Sequence, residues 1–363
     1  MKKIKFLDTI QNMNILAIET SCDDTCVAVI KASGKKKPRF KILSNIISSQ
    51  VEIHKKYGGV YPFLAKREHQ KNLPIILKKA LKKIKIDLIA VTIGPGLEPC
   101  LWVGVNSAKD LAKKLNIPIV PVNHIEGHML ANFVGKIQNS KFKIQNFPAI
   151  CLVVSGGHTQ LILMKDIGKY KILGETRDDA AGECFDKVAR ILGLGYPGGL
   201  IVAKMATKIK KEQVPRKREQ KSKIKIKLPR PMFNQKNYDF SFSGLKTAVL
   251  YTYQKSKIKN QKYKQQVCKE VQQAIIDVLL KKTIRAAKDY RVKTIILGGG
   301  VSANQELRKQ FKVQNAKCKI PVLIPLKNLC TDNAVMTGIA GYFNLNKKTK
   351  NWKKIKADAN IRI

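Results

Sequence analysis

The feature that most constrains this chain is its alternation of short apolar runs with longer stretches of helical periodicity, the pattern of an α/β protein. ILAIET (15–20) and CVAVIKA (26–32) flank the polar turn SCDDT and read as a hairpin. DLIAVTIG (87–94), IPIVPV (117–122) and KTIILGGG (293–300) read as buried strands. Helical periodicity places helices near 69–83, 104–115, 181–193, 265–288 and 331–343. A second strand–turn–strand, AICLVVSGGHTQLILM (149–164), turns at Gly156-Gly157. Each half thus opens with a strand, a loop of small polar residues and a strand, a faint internal repeat. At 363 residues the chain is long enough for two domains with cores of their own.

Charge narrows the partners. Seventy Lys and Arg against 25 Asp and Glu give a formal charge of +45, which favours polyanions. Only 11 of those 70 are Arg, so the surplus is of Lys, the poorer residue for bidentate phosphate and base contacts. Apolar residues make up 44% of the chain, which excludes a disordered polycation. No apolar run reaches the roughly 20 residues of a membrane helix. The basic N-terminus lacks the apolar stretch of a secretory signal. Eight scattered cysteines with no CxxC pair fit reduced thiols of a cytoplasmic protein rather than a disulfide framework. Segment 204–230 holds 12 Lys or Arg and two acids, and reads as a surface insertion or a basic arm for a nucleic-acid backbone.

Three kinds of motif carry chemistry. In His124-Ile-Glu-Gly-His128 the two imidazoles stand four apart, on one face of a helix, where both can reach one ion. A zinc protease places Glu directly after its first His; here Glu126 lies about 200° round the helix from His124, away from the ion. Asp332 is a candidate third ligand, and a two-His, one-carboxylate set suits iron(II), with zinc also open. SGGH (155–158) and GGGVSAN (298–304) follow apolar strands and can present backbone N–H groups to an anion, through the φ > 0 that Gly permits and a helix N-terminus. Neither matches a P-loop or GxGxxG. Acids cluster at Glu19, Asp23 and Asp24 and again at Asp178, Asp179, Glu183 and Asp186. Asp178 or Asp179 is placed to cap a helix beginning near Ala180.

ETSCDDT (19–25), GPG (94–96), NHIEGH (123–128), VSGGHTQ (154–160), DDAAGE with FDK (178–187), GYPGG (195–199), SFSGLKTA (241–248), GGGVSAN and CTDNA (330–334) follow one another in order. Together they resemble the TsaD family of tRNA N6-adenosine threonylcarbamoyltransferases, formerly read as glycoproteases. The resemblance implies an actin-like ATPase (sugar kinase/Hsp70/actin) fold of two related domains with a cleft between them, 1–125 plus 332–363 and 126–331. It implies that residues 1–12 precede a family start at Met13. The implied activity moves a threonylcarbamoyl group from threonylcarbamoyl-AMP to N6 of the adenosine beside the anticodon, in tRNAs reading codons that begin with A. His124, His128 and Asp332 correspond to the ligands of one divalent metal, Fe(2+) first and Zn(2+) second. Val153, Val154, Ser155, Gly156, Gly157, Asp186, Gly199 and Asn304 correspond to adenylate-binding positions. Ala203 stands where the family often has an acid. Asp23 is the residue assigned here to electrostatic or proton-transfer catalysis. Implied partners are tRNA and TsaB-like and TsaE-like subunits, with no membrane. The competing readings are a metal-dependent peptidase and a non-catalytic partner subunit of the same fold.

Overall fold

The computed structural model describes residues 12–34, 38–82, 84–134, 147–212 and 226–363. Residues 1–11, and positions 213–225 at the centre of the basic segment, lie outside the described residues. The chain divides into two compact units, one of 1–147, 164–171 and 323–363, the other of 148–163 and 172–322. No described helix is long and apolar enough to cross a membrane.

The first unit is built on a five-stranded sheet of order β3-β2-β1-β4-β5. Its strands are β1 (Met13–Glu19), β2 (Asp24–Ser33), β3 (Arg39–Ser49), β4 (Leu88–Gly94) and β5 (Ile119–Asn123). β1 and β2 form the expected hairpin, antiparallel from Met13↔Ala32 to Glu19↔Cys26, while β4 joins β1 in parallel and β5 joins β4. β1 is apolar without alternation because both faces are covered. Leu16 and Ile18 share a core with Leu73 and Ile76 of helix α2 (Pro62–Leu81) and Val105 and Ala108 of α3 (Glu98–Leu115). Both helices start earlier than their periodicity suggested, each with a proline in its first turn, where the missing N–H leaves no bond unmade. Two further helices complete the unit beside the short α1 (Val51–His54): α4 (His124–Leu130) and α10 (Ala334–Phe343). α10 covers the opposite sheet face at glycine contacts, because a Cβ on Gly338 would lie 2.9 Å from Ile30 and one on Gly341 only 2.5 Å from the Ala90 Cβ.

The second sheet, which belongs to the second unit apart from residues 164–171 and Leu323, has strands β6 (Ala149–Val154), β7 (Thr159–Asp166), β8 (Lys169–Glu175), β9 (Thr294–Gly298) and β10 (Val322–Leu323), in the order β10-β9-β6-β7-β8. Read from its other edge this is 8-7-6-9-10, the same connectivity as 3-2-1-4-5. The faint repeat in the sequence is thus a repeat of topology. The helices of this unit are α5 (Ala181–Ile191), α6 (Gly198–Glu212), α7 (Ser243–Lys255), α8 (Gln261–Asp289) and α9 (Gln305–Cys318). Strands β3, β8 and β10 and helices α6 and α7 are not disclosed by the periodicity of the sequence. β3 buries only Phe40 of its eleven residues, so it carries no continuous apolar run to detect.

Gly341→Ala tests the helix–sheet contact. Alanine gains about 1 kcal/mol of helix propensity, but the clash with Ala90 is expected to leave a net loss of about 1–3 kcal/mol in urea unfolding.

Candidate functional site

β5 ends at Asn123, whose side-chain oxygen accepts from the N–H groups of Ile125 (2.9 Å) and Glu126 (3.2 Å) and so starts α4. His124 and His128 then share one face of α4, with ring centroids 4.6 Å apart. Asn333 caps α10 in the same manner, accepting from Met336 N at 3.0 Å, and this fixes Asp332 just before the helix. The two helix starts meet at Gly127, where a Cβ would lie 3.3 Å from Met336. A side chain at this position would press on the Met336 side chain. Asp332 Oδ1 lies 3.2 Å from His128 Nε2 and 3.7 Å from His124 Nε2. The three donor atoms all lie within 4.8 Å of one another.

Several observations fit a cation there. Both His128 ring nitrogens are buried; Nδ1 has no hydrogen-bond partner among the described residues, and Nε2 faces Asp332 Oδ1. His124 Nδ1 faces Glu19 Oε2 at 3.2 Å and Ser21 Oγ at 3.0 Å, which leaves Nε2 turned toward Asp332. Glu19 is fully buried and also accepts from Thr92 Oγ1 (2.6 Å) and Thr337 Oγ1 (3.3 Å), and through Oε1 from Ser21 N (2.7 Å). A carboxylate behind a ligating imidazole fixes its tautomer and orientation. Burial works to depress His124, but Asp332 and Glu19 outweigh it and raise this imidazole to about 9. Burial lowers His128, against the pull of Asp332. Without a metal, the pocket therefore already holds one positive charge between two carboxylates, the place a divalent ion would take. The donor set can hold a metal. Glu126 is turned away as expected: it accepts from Tyr170 OH (2.7 Å) and Asn344 Nδ2 (2.8 Å), so it is not placed as the general base of a zinc protease.

The loop between β1 and β2 lies against this site. Asp23 is raised by burial and then by the Asp332 carboxylate. Asp24 is pushed up to about 7, chiefly by burial, and its Oδ1 is buried without a hydrogen bond.

In the second unit, Val153 and Val154 are buried at the end of β6, and Ser155 opens the turn. Ser155 N donates to His158 O (2.8 Å) and Gly182 N donates to Ser155 O (3.1 Å), which fixes the turn on the start of α5. Gly156 and Gly157 do not take the positive φ expected of them; instead the space beside each is open, with no atom within 4 Å of where a Cβ would stand. The positive φ belongs to Gly299 (+83°), which also packs 2.3 Å from Val154 O when given a Cβ. Asp186 Oδ1 accepts from Gly198 N (2.7 Å), one residue before Gly199, at the head of α6. Asn304 caps α9 by accepting from Glu306 N and Leu307 N, both at 3.0 Å, and donates to Gln272 (2.8 Å). Asp178 does not cap α5: it accepts from Phe242 N (2.7 Å) and Ser243 N (3.2 Å) at the head of α7, and Glu183 reaches back to Ala180 N (3.3 Å) instead. Asp179 pairs with Lys187 at 2.6 Å.

A family model for TsaD, tRNA N6-adenosine threonylcarbamoyltransferase, matches residues 41–339. A tRNA N6-adenosine threonylcarbamoyltransferase of Thermosipho africanus is 46% identical over 97% of this chain and 100% of its own length. The chain belongs to the TsaD family. A relative of the same name from Clostridium kluyveri is 44% identical over 97% of the chain and 98% of itself. One from Fusobacterium nucleatum is 46% identical over 94% of each. Among solved structures, full-length HypF in a phosphate- and nucleotide-bound form is similar at TM-score 0.52 and 11% identity, over 92% of this chain and 55% of that one. HypF of T. kodakarensis gives 0.53 and 12%, over 92% and 48%. The chain spans about half the length of these HypF proteins, and the likeness is one of fold. The architecture is the actin-like α/β class read from the sequence.

The carboxylate behind His124 can be tested directly. Glu19→Gln is expected to weaken metal binding about 10- to 100-fold, measured by chelator competition on folded protein. Asp24 gives a pH signature. Its folded pKa lies above the ordinary carboxylate value, so its contribution to stability is complete below about pH 4 and lost as pH rises through about 7. Between pH 5 and 8, metal-free wild type should lose roughly 1–3 kcal/mol more stability than Asp24→Asn, measured by urea unfolding.

Proposed function

We propose that this chain transfers the threonylcarbamoyl group of threonylcarbamoyl-AMP to N6 of the adenosine beside the anticodon of tRNAs that read codons beginning with A, releasing AMP. The observation that carries this reading is the convergence of His124, His128 and Asp332 in a chain of the TsaD family. In the reaction the N6 nitrogen attacks the carbamoyl carbon, the bond from that carbon to the phosphate oxygen breaks, AMP leaves, and one N6 proton departs. The donor is a mixed anhydride and already activated, so positioning and oxyanion stabilisation supply most of the acceleration.

His124, His128 and Asp332 are the ligands of one divalent ion, Fe(2+) before Zn(2+), since two imidazoles and a carboxylate with open positions suit iron. When bound, the ion supplies Lewis-acid polarisation of an acyl oxygen. Glu19 holds His124 with Nε2 forward. Asp23, whose carboxyl is raised above the ordinary carboxylate value by burial and by the Asp332 carboxylate, takes the electrostatic or proton-accepting role. Val153 to Gly157 offer the adenylate their backbone, and the open space at Gly156 and Gly157 lets a phosphate approach closely. Asp186, Gly199 and Asn304 complete that set, Asp186 by holding the start of α6 and Asn304 by holding the GGGVSAN loop on α9. Ala203, where the family often has an acid, offers the nucleotide sugar no such contact. The protein works in the cytoplasm with TsaB-like and TsaE-like subunits, and basic residues of segment 204–230 approach the tRNA backbone.

Reconstitution with threonylcarbamoyl-AMP, tRNA and the partner subunits, followed by nucleoside mass spectrometry, is expected to show the modified adenosine. His124→Ala should lose both bound metal and transfer. Absence of product with wild type overturns the transferase reading, and full transfer by a metal-free His124→Ala protein overturns the metal's role.

A further inference from the structure

Of the five exposed aromatic side chains among the described residues, three fall between positions 57 and 63: Tyr57 at 61%, Tyr61 at 53% and Phe63 at 65%. Single exposed aromatics are ordinary; a contiguous group that no core absorbs is not. The Tyr57 and Tyr61 rings are stacked on each other, 5.9 Å apart and 26° from parallel. Basic residues flank them in the chain, since Lys55, Lys56 and Arg67 are exposed and Lys66 is partly so. Of the acids near it, Glu52 pairs with Lys55 at 3.4 Å, and Asp23 and Glu68 lie close enough to act on His54.

The backbone beneath this group is held by buried polar contacts. Tyr61 N donates to Nδ1 of the buried His54, leaving Nε2 to meet Gln50 Oε1 at 3.0 Å. Gln50 is buried too and donates to Ala65 O at 3.3 Å. The end of β3, α1 and the first turn of α2 are thereby locked together. The same scaffold reaches the loop that borders the metal ligands. Cys100 Sγ faces Pro62 O at 3.7 Å, Thr20 Oγ1 donates to Cys100 O at 2.9 Å, and His69 of α2 meets Cys22 O at 2.9 Å. All these residues belong to the first unit.

We infer that Tyr57, Tyr61 and Phe63 form a stacking platform for unpaired bases of an RNA loop, with Lys56, Lys66 and Arg67 meeting its phosphates. The inference rests on the reading of tRNA as substrate and names where its loop is held. Fixed aromatic faces beside cations are what single-stranded RNA uses, because every base has a π-face and stacking needs no particular sequence. A duplex hides those faces. Charge attracts paired and unpaired RNA alike, so preference for a loop must come from the aromatics.

The test compares an anticodon stem-loop RNA with a fully paired duplex of equal length, on the full chain at fixed salt. Tyr61→Ala/Phe63→Ala is expected to lower stem-loop affinity about 5- to 150-fold, the range that loss of one stacked base implies, and to leave duplex affinity unchanged. Tyr61→Trp/Phe63→Trp should restore the preference, with tryptophan fluorescence quenched by the stem-loop and not by the duplex. Bound metal and melting temperature serve as controls for folding. Equal stem-loop affinity in wild type and the double alanine variant overturns the platform, and does so without touching the transferase reading if both proteins still modify tRNA. An equal loss for duplex and stem-loop also overturns it. Wild type that neither binds nor modifies tRNA overturns both.

Discussion

A carboxylate with no access to water must be fully hydrogen-bonded, and Glu19 at the end of β1 meets that demand by drawing four parts of the first unit together. Its oxygens hold Ser21 of the following loop, Thr92 of β4, Thr337 of α10 and His124 of α4. Burial opposes its charge, and the His124 imidazole beside it more than compensates, so Glu19 stays ionised. Removing any partner would leave part of a buried charge unsatisfied, which is far more destabilising than the loss of one ordinary hydrogen bond. The metal ligands depend on this arrangement. His124 owes its orientation to Glu19, and Asp332 is delivered by the helix that Thr337 anchors to the same oxygen.

Close backbone approach is the second constraint, and glycine makes it possible. Gly127 admits Met336 between the two histidines, and Gly338 and Gly341 let α10 settle onto the sheet. In the second unit Gly182 and Gly299 bring α5 and the β9 loop against Val154 and Ser155. The two units repeat one sheet connectivity and carry a polar loop at the same place, after the first strand of each. They have been put to different uses: acids and a neighbouring imidazole pair in one, an open Gly-Gly turn in the other.

Much of the fold was legible because buried strands must be continuously apolar when both faces are covered. β1, β2, β4, β6 and β9 announce themselves in this way. β3 does not, since most of its residues meet solvent, and α7 follows a proline-rich stretch without strong periodicity. The spacing of His124 and His128 was readable as one face of a helix, and the displaced Glu126 as a residue turned elsewhere. Local capping misled at Asp178, where proximity in sequence suggested α5 and the bonds go to α7, more than 60 residues on. Glycine misled at 156 and 157, whose φ is ordinary, while Gly299 takes the left-handed conformation.

The order of the motifs by itself determined the family, and residue spacing determined which side chains could share a helix face. Those are properties of the chain's covalent order and of helix geometry. The tertiary structure decided what stands behind and beside them. Glu19 and His124 are 105 residues apart, and Glu19 and Thr337 are 318 apart. No local pattern specifies such partners; they meet because burying both faces of one sheet brings the ends of β1, β4, α4 and α10 to the same place. The aromatic group at 57–63 is of the same kind. Its letters are plain in the sequence, but only packing shows that no core claims them.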